Sequence, residues 1–380
     1  MINSLISTTI CCVVCHGGPA DHFATFIPEL QKAGAQVHVH ATPGVIGKFK
    51  DLEIEIDTLH VSDASLSEID VARNLAKKCS KVSVLLTDLG SSFTVSLQKT
   101  FNESNPQVKR LVYYDNPESY VPGGYSDIAN KTMQLADRVL FCNANLACNP
   151  IYINEKEESS IPFEKRYGIG YYPINRIKKI RESRLKEQQT NSMRKKFFDE
   201  YRIQGENKKI LVYFGGNNEE YYQAAFPAFQ NFLIESTKRM DLSHLVFVIH
   251  QHPAAKNNNR DWNIIKGWVE EIKENSKAPT LVLSHWDSNQ MQQILDCALY
   301  WQTSMAAQFL FHPRVQVGDK TYKDVLIENG LAHSVTTLHD FIETIVKGNY
   351  ETSQNDPESL IIKCLGFRND YNVALIEAIK

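Results

Sequence analysis

Apolar runs alternate with amphipathic segments along most of the chain. In the first half, Phe23, Phe26, Ile27 and Leu30 recur at helical spacing after the first apolar run, and Gly34 ends that helix. The alternation predicts a parallel sheet with helices on both faces. The predicted strands are ICCVVC, VHVHA, KVSVLLTDLG, RLVYYDNP and ADRVLFCNANLA, the last being the expected final strand of the first domain.

The same pattern returns in the second half, after a polar connection rich in Lys and Arg at residues 154–209. We interpret that connection as a linker followed by solvated helices, because a run of charge on a helix usually faces water. The strands predicted after it are KILVYF, LVFVI, TLVLS, CALYW and RVQVG. The fold class is therefore α/β, with two Rossmann-like, doubly wound parallel-sheet domains at 1–165 and 166–350 and a C-terminal helical segment at 351–380.

Composition adds few constraints. The chain of 380 residues exceeds the size of one hydrophobic core, and 43% hydrophobic residues, 22% charged residues and a net charge of -3 are ordinary for a globular protein. This balance does not favour a nucleic-acid partner. No apolar segment approaches the roughly 20 residues that span a bilayer, and the N-terminus lacks the basic region of a signal peptide. We expect a cytoplasmic protein with no transmembrane segment.

Cys12, Cys15 and His16 match the C-x-x-C-H pattern of covalent haem attachment. The surrounding run ICCVVC, however, is typical of a buried parallel strand that enters a turn. We expect Cys11, Cys12 and Cys15 to be small hydrophobic residues that bind no haem. The eight scattered cysteines predict reduced thiols rather than a disulfide framework.

The first domain places polar residues after its strands, where parallel sheets bind ligands. Gly17 and Gly18 let a ligand approach the backbone, and His22 in the first helical turn is a candidate general base. Asp88 ends a later strand and is a second catalytic candidate, able to orient a histidine or a substrate hydroxyl. Packing of His22 and an ordinary turn at Asp88 remain the alternatives. The loop that contains Asp115 suits an acceptor wall and shows no reaction chemistry of its own.

The second domain carries the candidates for binding a nucleotide sugar. Glycine turns, backbone amides and hydroxyls at a helix start bind phosphate, although each of these turns is ordinary by itself. Together they predict a nucleotide site, within which His252, Thr303 and Ser304 form one phosphate subsite. The full set is Gly215, Gly216, Asn217, His250, His252, Gln302, Thr303 and Ser304.

Several functional classes lose support. His250 and His252 lie on one face of a strand, but no third ligand follows at a suitable spacing, so no metal site is predicted. The P-loop motif is absent, as is G-x-G-x-x-G after either first strand, which disfavours kinases, GTPases and ordinary NAD dehydrogenases. We predict no cofactor.

The segments HGGPADHFATFIPELQKAGAQVHVHA, FGGNN, IHQHP and QTSMAAQFLFHPRVQVG resemble the glycosyltransferase-B (GT-B) superfamily, which includes UDP-N-acetylglucosamine 2-epimerases. The resemblance implies two Rossmann-like domains that face a cleft, with the acceptor on the N-terminal side and the nucleotide-sugar donor on the C-terminal side. It also implies that His252-Pro253 and Thr303-Ser304 bind the nucleotide phosphate. Gln308 stands where a glutamate is often found, which leaves the donor open.

The function we expect is therefore a metal-independent glycosyltransferase that uses a nucleotide-sugar donor and an unknown acceptor, whether glycan, lipid, protein or small molecule. The second domain would stabilise the leaving phosphate, while His22 or Asp88 deprotonates the acceptor. Two alternatives stay open: a nucleotide-sugar 2-epimerase, and a non-catalytic binding or scaffold protein on the same fold.

Overall fold

The protein is described by a computed structural model in which two compact units comprise Met1–Pro173 with Glu358–Lys380, and Ile174–Pro357. The residues whose structure is described are 4–50, 52–61, 66–121, 124–170, 182, 186–205, 207–216, 219–251, 260–272, 274–319, 324–350, 364–366 and 370–380.

The first unit is built on a seven-stranded sheet, with strand order β3-β2-β1-β4-β5-β6-β7 and every pairing parallel. Its near-continuous apolar strands are typical of a sheet buried on both faces. The strands are β1 Thr9–Val14, β2 Gln36–Ala41, β3 Ile56–Thr58, β4 Val84–Thr87, β5 Lys109–Tyr114, β6 Arg138–Phe141 and β7 Arg166–Gly168. The helices are α1 Gly17–Lys32, α2 Glu68–Lys78, α3 Ser92–Ser104 and α4 Tyr125–Leu135.

Side chains alternate between the two faces of this sheet. Cys11 and Val13 of β1 pack with the buried faces of α2 and α3, while Phe23 and Phe26 of α1 pack edge-on against Tyr113 of β5. Strand periodicity puts Cys12, which is fully buried, on the face opposite to Cys11. The first strand is therefore inaccessible from either face, as the apolar run predicted.

The second unit repeats the design with a six-stranded parallel sheet in the order β10-β9-β8-β11-β12-β13. Its strands are β8 Lys209–Phe214, β9 Leu245–His250, β10 Thr280–Ser284, β11 Cys297–Tyr300, β12 Arg314–Val317 and β13 His333–Val335. Its helices are α5 Glu187–Glu200, α6 Phe226–Thr237, α7 Arg260–Ile272, α8 Ser288–Ile294, α9 Val325–Glu328 and α10 Leu338–Asp340. Short π-helical turns at Tyr221–Ala225 and Phe341–Val346 adjoin α6 and α10, and a 3₁₀ helix covers Ser304–Phe311.

The fold class predicted from the pattern is confirmed, but three strands escaped prediction. In the first sheet, β3 pairs with β2, and β6 is not the last strand because β7 pairs with it through Val139 and Arg166. In the second sheet, β13 pairs with β12. All three missed strands have three residues and lie at a sheet edge, too short for any periodicity to reveal them.

The C-terminal helix α11, Tyr371–Ile379, belongs to the first unit. Arg138 donates hydrogen bonds to the carbonyl oxygens of Glu377 and Ala378 at 3.0 and 2.7 Å, and Asn372 donates to Glu29 at 2.9 Å. Within the described residues, no helix combines the length and apolar character needed to cross a bilayer.

Candidate functional site

Both sheets reverse their strand order at the same topological position, between β1 and β4 in the first and between β8 and β11 in the second. At such a point the connections from adjacent strands depart toward opposite faces, which leaves a crevice at the carboxyl edge where ligands bind. The residues that border these two crevices follow β1 and β4 in the first unit and β8 and β11 in the second. Most of the candidates found in the sequence lie there.

Asp88 organises the crevice of the first unit. One of its carboxylate oxygens accepts hydrogen bonds from the backbone N–H groups of Cys15 and His16 at 2.7 and 2.8 Å, and lies 3.0 Å from Nδ1 of His16. The Asp88 side chain is fully buried, whereas that of His16 is 40% exposed. Because Asp88 engages Nδ1, the Nε2 atom of His16 is the ring nitrogen left to meet a ligand.

A second carboxyl group, that of Asp115, follows β5 in the next position along the edge. Its burial and the negative charge of Asp88 raise the pKa of Asp115 to about 7, against the opposing influence of His16. Tyr125 donates a hydrogen bond to it at 3.3 Å. Burial by itself would lower the pKa of His16, but the hydrogen bond and charge of Asp88 outweigh burial and raise it. Two groups whose pKa values are raised therefore share one edge.

The turn after Asp88 has a glycine for two reasons. Gly90 adopts a φ of +114°, which disfavours any residue with a Cβ. A Cβ there would also lie 2.7 Å from the ring of Tyr125, the residue that bonds Asp115. Gly90 thus lets Tyr125 approach the edge and hold the buried carboxyl group.

His22, the histidine chosen from the sequence, lies elsewhere. It is 3% exposed on α1, and its Nδ1 is 2.5 Å from the hydroxyl of Tyr113. The ring packs within the aromatic cluster under α1, with its centroid 5.3 Å from that of Tyr113. A catalytic role for His22 stays a prediction, while the geometry at the edge favours His16.

Gly17 and Gly18 open α1 at the same crevice. The helix has no acidic residue in its first turn, and its N-cap, His16, makes no side-chain capping bond. A Cβ added at Gly17 would meet no atom within 4 Å, so the protein's own packing does not demand a glycine there. A glycine in open space at a helix N-terminus suits close approach by an anionic ligand.

In the second unit, three strand ends lie side by side. Tyr300 pairs with Phe214, and Phe214 pairs with His250, whose ring centroid lies 4.9 Å from that of Phe214. The loops that follow β8, β9 and β11 therefore start from one row across the sheet. His250, the last residue of β9, is 9% exposed, so little of its side chain meets solvent.

The glycine turn after β8 has a structural cause. A Cβ at Gly215 would lie 2.2 Å from the Tyr221 hydroxyl oxygen, so packing against that ring excludes a side chain. Gly216 follows it and is half-buried. Two other candidates, Asn217 and His252, lie outside the described residues, so the subsite that was to contain His252 stays a prediction.

The turn after β11 brings Gln302, Thr303 and Ser304 to the start of a helix. Gln302 adopts a φ of +47°, a conformation that costs a residue with a side chain about 1 kcal/mol. Thr303 caps the 3₁₀ helix Ser304–Phe311 by accepting a hydrogen bond from the N–H of Met305 at 3.2 Å. The first turn of this helix contains no acidic residue. The positive φ of Gln302 therefore lies directly before a helix start that follows β11.

Solved structures similar to this chain include several UDP-GlcNAc 2-epimerases and MurG. The UDP-GlcNAc 2-epimerase of Methanocaldococcus jannaschii in complex with UDP-GlcNAc and UDP is 12% identical, with a TM-score of 0.65, over 97% of this chain and 99% of that chain. The UDP-GlcNAc 2-epimerase of Neisseria meningitidis is 14% identical, with a TM-score of 0.61, over 98% and 99%. MurG of Acinetobacter baumannii is 12% identical, with a TM-score of 0.52, over 98% and 99%.

The chain has a GT-B-type fold. No protein-family model and no curated protein sequence matches it. At these identities the likeness establishes the fold alone, and the GT-B architecture was recognisable in the sequence only through its short glycine and histidine turns.

Two groups at this edge were given no reacting role in the sequence. His16 appeared only as part of the C-x-x-C-H pattern, and Asp115 appeared in a loop judged to lack reaction chemistry. A hint was available, since both directly follow predicted strands. The pKa of Asp115, however, depends on burial and on the charge of Asp88, and the chain separates these two residues by a helix and a strand.

Gln308 lies where a glutamate was expected from the resemblance. Its side chain is 5% exposed, and its Oε1 accepts a hydrogen bond from Gln292 at 3.2 Å. A glutamate there would bring a charge into a buried amide pair. Glutamine at position 308 therefore suits this buried environment better than glutamate would. The identity of the donor has to be tested directly.

Proposed function

We propose that this protein is an enzyme that acts on a nucleotide-activated sugar, and that its reaction is epimerisation of the sugar at carbon 2. The observation that carries the proposal is the set formed by His16, Asp88 and Asp115 in the first unit. Burial and the charge of Asp88 raise the pKa of Asp115 to about 7, and Asp88 also fixes the ring of His16 and raises its pKa.

The hydrogen on carbon 2 is not adjacent to a carbonyl group, so its removal is coupled to departure of the UDP phosphate from carbon 1, which leaves a double bond between carbons 1 and 2. One protein group takes the proton from carbon 2. Another returns a proton to the opposite face while the UDP phosphate re-forms its bond to carbon 1. The best acid and base for this work have pKa values near the operating pH. His16 and Asp115 fit those two roles, and Asp88 positions His16 through Nδ1.

The second unit is assigned the nucleotide phosphate. Support comes from the helix start at Thr303 and Ser304, the strained Gln302 before it and the adjacent glycine turn at Gly215. Backbone N–H groups at a helix start favour phosphate because of their partial positive charge. The two units are thus assigned separate tasks, and each can be tested by itself.

The named epimerases support the choice of first substrate. The neighbouring structures from Methanocaldococcus jannaschii and Neisseria meningitidis hold UDP-GlcNAc. We therefore propose a UDP-linked N-acetylhexosamine as the substrate class.

Glycosyl transfer is the second candidate, and the His16–Asp88 pair favours it. A transferase needs a single base to deprotonate the acceptor hydroxyl, and a histidine oriented by a buried carboxylate is suited to this task. On this alternative, Asp115 would serve to bind the acceptor rather than to transfer a proton.

The test is incubation of the full chain with UDP-GlcNAc alone in D₂O, followed by NMR. Epimerisation predicts the carbon-2 epimer with deuterium at that carbon, formed without any acceptor. Asp115→Asn should slow this reaction on the order of 10²- to 10⁴-fold. Asp127→Asn is the matched control, because Asp127 is an exposed carboxylate on α4 that pairs with Lys131.

Other outcomes would redirect the proposal. Sugar transfer that requires an added acceptor would favour the glycosyltransferase. Thermal stabilisation by UDP, GDP, CMP, ADP or dTDP sugars without turnover would favour a binding protein. Absence of both turnover and stabilisation for every nucleotide sugar would contradict the proposed substrate class.

A further inference from the structure

Three metal-ligating side chains converge in the first unit, away from the carboxyl edge. They are Cys11 on β1, His40 on β2 and Cys79 at the end of α2, and all three are buried. The sulfur atoms of Cys11 and Cys79 are 3.2 Å apart, and Cys79 Sγ is 3.5 Å from His40 Nε2. All three ligand atoms lie within 4.8 Å of one another.

These separations suit a tetrahedral ion. Bonds of about 2.3 Å to sulfur and about 2.0 Å to nitrogen place two sulfur ligands roughly 3.8 Å apart, and sulfur and nitrogen roughly 3.5 Å apart. The two sulfur atoms, 3.2 Å apart, would therefore have to separate by about 0.6 Å to bind the ion. Thiolate and imidazole are also the ligands that zinc prefers.

The ring of His40 is oriented so that its Nε2 atom can bind a metal ion. Asp57 lies with a carboxylate oxygen 3.4 Å from His40 Nδ1, and the same carboxylate accepts a hydrogen bond from Lys78 at 2.8 Å. A carboxylate on the far ring nitrogen fixes the tautomer that presents Nε2 to a metal and makes the imidazole a better donor.

A cavity of about 300 Å³ provides the entry path. Its walls include Cys79, His40 and Asp57, and also Thr9 and Gln36, which begin β1 and β2. The cavity thus reaches the cluster from the amino edge of the sheet, opposite to the edge that carries His16 and Asp88. It leaves room for a water molecule as the fourth ligand.

The charges also balance. Metal binding releases protons from the thiols that become ligands. Two thiolates and a neutral imidazole around a divalent ion would leave the buried site with no net charge.

We propose that Cys11, His40 and Cys79 bind one zinc ion, with water in the fourth position. The ion ties β1 and β2 to the end of α2, and it stabilises the first unit without taking part in the proposed reaction.

The first test is metal analysis of the full chain, loaded with Zn²⁺ under reducing conditions and dialysed without chelator. The parent protein is expected to retain one zinc per chain and to melt at a higher temperature than after chelation. Cys11→Ala and Cys79→Ala should abolish both effects. Cys12→Ala is the matched control, because Cys12 is the adjacent, equally buried residue on the opposite face of β1, and it should keep both.

The second test uses a variant that leaves all three ligands in place. Asp57→Asn should weaken zinc affinity roughly ten- to a hundredfold in competition with a chelating dye. Substitution of cobalt for zinc should give a thiolate-to-metal charge-transfer absorbance in the parent and the Cys12→Ala protein, and none in Cys11→Ala.

Three results would overturn the proposal. The first is retention of zinc by Cys11→Ala, and the second is a parent chain that neither binds zinc nor gains stability from it. The third is a Cys11–Cys79 disulfide that forms when reductant is withheld and still prevents zinc loading after reductant is restored. The last result would assign the pair to redox chemistry instead of metal binding.

Discussion

The two sheets have the same strand order and reverse it at the same place, yet their carboxyl edges differ in chemistry. The first edge gathers two carboxyl groups and an imidazole, with Asp88 fully buried between the backbone N–H groups that it caps. The second edge, in its described loop residues 215–216 and 301–303, offers glycines, an amide, a hydroxyl and no carboxylate. The strand order therefore determines where a crevice forms in each sheet, whereas the loop residues determine which chemical groups the crevice presents.

The largest expected effect concerns the acid–base group of the first edge. His16→Gln should lower kcat on the order of 10²- to 10⁴-fold, because the amide cannot exchange a proton near neutral pH. Nucleotide affinity, measured by calorimetry with UDP, should stay within about twofold of the parent. His22→Gln serves as the comparison, since His22 packs against Tyr113, and a greater kinetic loss there than at position 16 would return the base to His22.

The next largest effect is a pH dependence of stability that arises from Asp115 at the first edge. The folded-state pKa of Asp115 is about 7, above its ordinary value of 3.8, so the folded state holds this proton more strongly than the unfolded chain. The free energy of unfolding should therefore fall as pH rises from about 4 to about 7 and level off above that. The loss has an upper bound of about 4 kcal/mol.

Asp115→Asn tests this dependence. The variant should be more stable than the parent at pH 8 and equal to it near pH 4, as measured by urea unfolding. An identical stability difference at both pH values would mean that the carboxyl group of Asp115 does not titrate in this range.

A smaller effect is expected at the second edge. Ser304→Ala and His252→Ala should each weaken nucleotide binding roughly ten- to a hundredfold, since a hydrogen bond to phosphate is worth about 1.5–3 kcal/mol. The melting temperature of the free protein should change little. If both variants bind nucleotide as tightly as the parent, the phosphate site does not lie at this edge.

The smallest expected effects concern Gly215 and Gly17, which lie in the turns after β8 and β1, the first strands of their sheets. Gly215→Ala should cost about 1–3 kcal/mol of stability, because a Cβ there meets the ring of Tyr221. A Cβ at Gly17 would contact no atom within 4 Å, so Gly17→Ala should stabilise α1 by about 0.5–1 kcal/mol. The same substitution should weaken ligand binding. Chemical denaturation measures both, and equal destabilisation would contradict the contrast between the two turns.

The candidate site was only partly accessible to prediction. The glycine turns and Asp88 could be found because they directly follow apolar strands. The pairing of Asp88 with His16 could not, since 71 residues of chain lie between them and only the adjacency of β1 and β4 brings them together. The position of His22 has the same origin: helical spacing places it on α1, but the sheet beneath α1 decides that it faces Tyr113.

The amino-acid sequence by itself determined the alternation of strands and helices, the number of sheets and the loops at the ends of their main strands, because burial on both faces of a parallel sheet leaves a continuous apolar run that can be read locally. The short edge strands β3, β7 and β13, the pKa of Asp115 and the meeting of Cys11 with His40 and Cys79 were decided only by the tertiary structure. Each of these depends on groups distant in the chain, whose burial and charge act on one another only after the strands have been ordered side by side.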